Sequence, residues 1–98
     1  MNIVVGLLEQ YKMDKIKPWW VYLVECSDGT LYCGISTDVN ARIEKHNNKK
    51  GAKYTKTRTP VILKYSKEYE NRSLASKEEY RIKQLTRKQK EELFNGNN

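Results

Sequence analysis

Few side chains in this chain combine a reactive type with a useful spacing. Tyr22 and Tyr32 stand ten positions apart on either side of Ser27-Asp28-Gly29-Thr30, a turn signal. Arg42 and His46 are spaced i, i+4, so on a helix they share one face. Glu78 and Glu79 follow in a second helical stretch. These groups form neither a Ser-His-Asp nor a Cys-His site. They do suit a phosphodiester, with a carboxylate for a hard divalent cation and a guanidinium for phosphate oxygens. Singly, each has a plainer role: strand tyrosines pack, an Arg/His pair on a helix is solvated, and paired helical acids make weak surface ion pairs.

The elements that must position these groups are legible in the pattern. Trp19 to Glu25 is rich in aromatic and β-branched residues and predicts a strand, with Leu31 to Ile35 returning as its hairpin partner. Any of Ser36, Thr37 and Asp38 can cap a helix running to about Asn47. Asn48 to Pro60 lacks an apolar period and reads as a loop, and Val61 to Tyr65 reads as a third strand. Ser73 is the expected cap of a helix carrying Leu74, Ala75, Ile82 and Leu85, and Thr86 that of a last helix, Arg87 to Phe94. The order β-β-α-β-α-α predicts an α+β domain, a three-stranded antiparallel sheet flanked by helices, over residues 18–94. Residues 1–17 differ in composition and read as a weakly ordered extension, and 95–98 as a frayed end.

Composition narrows the partners. The chain has 98 residues and a net charge of +7, with 19 cations against 12 acids. A chain this short buries about 60–65% of its unfolded surface, enough for one core. Lys45, Lys49, Lys50, Lys53, Lys56 and Arg58 form one block without an acid, and Arg81 to Lys90 a second. Such blocks suit a polyanion, most commonly nucleic acid. No apolar run approaches the roughly 20 residues of a membrane span. Two cysteines and one histidine make neither a disulfide framework nor a structural zinc site, so a reduced, cytoplasmic setting is expected.

Tyr22, the following Tyr32-Cys33-Gly34, then Arg42 and His46, Gly51 to Thr55, and Arg72 to Thr86 with Glu79 occur in an order and spacing that resemble the GIY-YIG nuclease superfamily. The likeness runs from about Trp19 to Lys90, and its last segment looks most like small stand-alone bacterial members. The resemblance implies metal-dependent hydrolysis of a DNA phosphodiester with one Mg²⁺ or Mn²⁺. By it, Tyr22 and Tyr32 match the motif tyrosines, and Arg42 the arginine on the scissile phosphate. His46 matches the position one turn further on, Glu79 the sole acidic metal ligand, and Gly34 the glycine that admits substrate backbone. Lys45, Lys49, Lys50, Lys53, Lys56, Arg58 and Lys83 are the expected DNA-binding cations. DNA is the expected partner, with RNA and single-stranded DNA left open, and a monomer is the expected state. A non-catalytic nucleic-acid-binding module on the same fold is the competing function.

Two points stay open at this level. A free tyrosine is only ~0.1% phenolate near neutrality, so a tyrosine base needs positive charge to lower its pKa or His46 to relay the proton. Any of Tyr22, Tyr32 and His46 could be that base. Periodicity makes Glu78 the more buried acid, whereas the family pattern selects Glu79. Parity adds a requirement. A two-residue turn at Asp28-Gly29 would put the two tyrosines on opposite faces. A three-residue loop with a bulge at Gly29 pairs Tyr22 with Gly34 and Tyr32 with Val24, on one face. A shared site predicts the bulged loop.

Overall fold

The computed structural model describes residues 17–95. The expectations placed on residues 1–16 and 96–98 lie outside the described residues. Strands β1 (Trp19–Glu25), β2 (Leu31–Ser36) and β3 (Ile62–Tyr69) form one antiparallel sheet in the order β2-β1-β3. Helix α1 (Val39–Asn47) follows β2, and α2 (Arg72–Lys83) and α3 (Arg87–Glu92) follow β3. The α+β order is the expected one.

Val21, Tyr22, Leu23 and Val24 are consecutive and all fully buried, so the central strand is covered on both faces. One face packs Val21, Leu23 and Cys33 against Ala75 and Ile82 of α2, with Leu93 and Phe94 beyond α3 closing the edge. The other packs Tyr22, Val24, Cys26 and Val61 with Val39 and Ile43 of α1. Outer strand β2 therefore has α1 on one side and α2 on the other, and groups from both faces can meet around it.

The hairpin is the bulged form. Gly29 has φ 85°, the Cys26 N–H donates to Thr30 O, and the Gly29 N–H donates to Cys26 O. Tyr22 faces Gly34 and Val24 faces Tyr32, so both tyrosines lie on one face.

Three boundaries differ from expectation. Helix α2 is capped by Asn71, whose Oδ1 accepts from the Leu74 N–H at 2.9 Å. The expected cap, Ser73, lies inside the helix, because α2 starts two residues before its first apolar position. Strand β3 starts at Ile62 and runs to Tyr69 rather than covering Val61 to Tyr65. Its polar second half pairs with β1 as far as Trp19 opposite Tyr69, where an edge strand needs no apolar alternation. Val61 is held instead by Asn47, which accepts from its N–H at 2.7 Å and donates to its carbonyl at 3.3 Å. Helix α3 ends at Glu92, short of Phe94, after a capping box between Thr86 and Gln89.

Candidate active site

Tyr22, Tyr32, Arg42 and Glu79 line one hollow of about 370 Å³ at the β2 edge, with Trp19, Gly34, Ile35, Arg72 and Ser76. Tyr22 forms its buried floor, reaching across β2 at Gly34. A Cβ there would sit 2.5 Å from the Tyr22 hydroxyl, so glycine leaves the space that the phenol fills. This is a positioning role within the protein, beside the substrate approach that the resemblance implies. Gly34→Ala should displace the Tyr22 ring and cost about 1–3 kcal/mol, read as a lowered melting temperature.

His46 does not line the hollow. It is fully buried behind Tyr22, with Nε2 2.8 Å from the Tyr22 hydroxyl and Nδ1 2.7 Å from Thr55 Oγ1. The Thr55 hydroxyl, itself buried, donates to Ala52 O at 3.2 Å. With the Thr55 proton placed on Ala52 O, Nδ1–H donates to Thr55 and Nε2 accepts from Tyr22. Gly51 passes so close that a Cβ would lie 2.4 Å from His46 Nδ1. The basic loop is thus pinned to the imidazole.

Burial, then the charge of Arg42, holds the His46 pKa below the ordinary imidazole range, so the ring is neutral at pH 7. Burial and the neighbouring Tyr32 push the Tyr22 pKa up, with Arg42 opposing. The depressed pKa that a tyrosine base acting alone would need is therefore not met by Tyr22, because desolvation outweighs one guanidinium. Unfolded His46 titrates near pH 6.5 and the folded ring below it, so the unfolded chain binds more protons in that window. Stability should be full above about pH 6.5 and fall on acidification by up to ~1.4 kcal/mol per pH unit. Melting curves from pH 7.5 down to about 5 check this, and His46→Gln should lack that limb.

Tyr32 is half-buried, its ring 5.4 Å from His46 and 6.5 Å from Tyr22. It stacks on Tyr54 at 5.9 Å, and Tyr54 carries the Arg58 guanidinium 4.0 Å from its centroid. Burial pushes the Cys33 thiol up to about 12, which leaves it inert at neutral pH.

The two acids separate. Glu78 pairs with Arg81, whose hydrogen bonds draw its carboxyl pKa down, and it faces Tyr69. Glu79 enters the hollow and pairs with Lys83 at 3.1 Å. Among the described residues no cluster of three or more His, Cys, Asp or Glu could hold a metal. The single carboxylate suits a hard divalent ion that takes its other oxygens from water and phosphate.

Among the expected DNA-binding cations, Lys49, Lys50, Lys53 and Lys56 gather with Gly51 and Ala52 around a second, basic hollow. Lys45 is exposed on α1. Arg58 is engaged internally, 2.9 Å from Asp28 and donating to Tyr54 O at 2.7 Å, and Lys83 is engaged by Glu79. Sequence reasoning missed Thr55, Gly51 and Arg72 as site residues. The signal for Arg72 was present, since Arg72, Ser76 and Glu79 recur at i, i+4 and i+7 along one face of α2.

Known proteins bear on this geometry. Residues 18–92 match the family model described as the GIY-YIG catalytic domain. A UPF0213 protein of Halobacterium salinarum is 55% identical over 74 residues, covering 76% of this chain and 96% of its own. A UPF0213 protein of Staphylococcus aureus is 58% identical over 75 residues, covering 76% of this chain and 92% of its own. Two solution NMR structures are similar, each covering 78% of this chain and 81% of the other. They are the UPF0213 protein BH0048 of Bacillus halodurans, at 43% identity and TM-score 0.50, and EF2693 of E. faecalis, at 42% and 0.55. No helix among the described residues is long and apolar enough to cross a membrane. With the strand register, the shared hollow and these matches in agreement, the chain belongs to the GIY-YIG catalytic-domain family, a nuclease family, and within it to the small UPF0213 proteins.

Proposed function

We propose that the protein is a divalent-metal-dependent endonuclease that hydrolyses DNA phosphodiester bonds, acting in the cytoplasm. The observation that carries this reading is the meeting of two phenols, a guanidinium and one carboxylate in a single hollow around β2. A phosphodiester is anionic and repels an attacking oxygen, so its charge must be offset before water can attack. Arg42 supplies a planar, permanently charged fork for the non-bridging oxygens, on which charge grows in the transition state. Glu79 would hold Mg²⁺ or Mn²⁺, which supplies charge neutralisation at the phosphate and at the departing oxygen.

The base is a two-residue unit in this reading. Tyr22 takes a proton from water as its own passes along the 2.8 Å bond to His46 Nε2. No free phenolate is needed, so the raised pKa of Tyr22 is no obstacle. His46 is neutral, and Thr55 holds it in the tautomer that leaves Nε2 open as the acceptor of that proton. Tyr32 borders the same water and orients it.

The test is incubation of the protein and Mn²⁺ with duplex, nicked, flapped and single-stranded DNA. Cleavage of at least one substrate, lost on removal of the metal, is expected. DNA binding without cleavage of any substrate would overturn the reading in favour of a non-catalytic binding module.

A further inference from the structure

The chain has five arginines, and three are committed to carboxylates: Arg58 to Asp28, Arg81 to Glu78, and Arg87 to Glu25 and Glu91. Among the described residues Arg42 and Arg72 have no carboxylate within salt-bridge distance, and both line the same hollow. Arg42 has a role in the proposed hydrolysis and Arg72 has none. Arg72 opens α2, and its guanidinium lies 5.2 Å from the ring centroid of Trp19, another wall of the hollow.

This is the arrangement of an anion subsite. Glu79 is the hollow's one carboxylate, and it is already shared with Lys83. Two guanidinium groups facing one shared carboxylate leave the hollow with excess positive charge, which attracts an incoming anion. Trp19 lies within cation–π range of the Arg72 guanidinium, and among the described residues no side chain takes its N–H donors, which suits phosphate oxygens taken two at a time. A single scissile phosphate occupied by Arg42 would leave Arg72 unmatched, whereas a strand brings a second phosphate one nucleotide away.

From this we infer that Arg72, beside Trp19, binds the phosphate next to the scissile one in a DNA strand. The assignment rests on the nuclease reading of the hollow, and makes Arg72 a positioning residue for the strand. Arg42 holds the phosphate that reacts, and Arg72 sets the register of the strand across β2.

Binding of a fluorescein-labelled single-stranded oligonucleotide by anisotropy, with EDTA to prevent cleavage, tests it over a salt series. Arg72→Ala should lower affinity about tenfold and reduce the slope of log K against log salt by about 0.7, one phosphate contact. Arg72→Lys should keep the wild-type slope, since it keeps the charge. With Mn²⁺ present, Arg72→Ala should raise KM and leave kcat near wild type. An unchanged salt slope together with a lowered melting temperature would overturn the assignment and make Arg72 a structural partner of Trp19. A collapse of kcat at unchanged KM would also overturn it, because Arg72 would then act on the scissile phosphate. The slope needs no chemistry. A changed slope in a protein that cuts nothing would keep this subsite and defeat the nuclease reading. An unchanged slope in a protein that cuts would do the reverse.

Discussion

Glu79→Gln should lower the rate of DNA cleavage by about 10³-fold or more while the protein stays folded. Glutamine keeps the shape of the side chain and removes the only charge in the hollow able to hold a divalent ion. Several kcal/mol of transition-state stabilisation depend on that ion, and each ~1.4 kcal/mol is tenfold in rate. The fold loses only the ion pair to Lys83, whose side chain is 51% exposed, so the stability cost should stay below about 1 kcal/mol. Glu78→Gln is the internal control. Its carboxylate serves Arg81 and Tyr69 away from the hollow, so cleavage should stay close to wild type. Single-turnover rates with Mn²⁺ for the two variants compare the acids directly, and loss through Glu78 alone would move the metal site.

The second large effect is expected from Tyr22→Phe. Removing one oxygen takes away the acceptor of the water proton and should reduce cleavage by about 10²–10⁴-fold. It also strands His46 Nε2 inside the core, at a cost of about 1–3 kcal/mol in stability. His46→Gln interrupts the same relay one group further back. If the pair acts as a unit, the double variant should be little worse than either single one, because neither half works alone. Additive losses would mean that the two residues act separately. Tyr32→Phe should cost less than Tyr22→Phe, since Tyr32 has no hydrogen bond to His46 and contributes through position. A larger loss from Tyr32→Phe would transfer the base role to it.

Why some of this was legible in the sequence and some was not has a physical answer. The residues of the hairpin fit either loop, and the register followed only from requiring a shared site, because the three-residue bulged loop is the one that puts Tyr22 and Tyr32 on one face. Helical angle alone favoured Glu78 as the more buried acid, and the family pattern selected Glu79, which one step of about 100° turns towards the hollow. The burial of His46 was less visible, although Val39, Ile43 and His46 recur at helical spacing along α1. What satisfies the imidazole lies elsewhere, on Tyr22 and on Thr55 in a lysine-rich loop with no periodicity. Its neighbour Gly51 is required by packing against that ring, a contact that exists only after folding. The second half of β3 was hidden because an edge strand exposed on most positions reads like a polar turn. Arg58 looked like a DNA ligand by charge alone, and its partner Asp28 is 30 residues distant.

The central claim is that one carboxylate at the β2 edge gathers the metal, the phenols and Arg42 into a single centre. Titrating Mn²⁺ into isotope-labelled protein and following amide NMR signals tests it without any choice of DNA. Paramagnetic broadening should begin at Glu79 and spread first to Tyr32, Gly34, Arg42 and Ser76, and Glu79→Gln should abolish it. Broadening centred on Glu78 or Asp28, or unchanged in Glu79→Gln, would contradict the account.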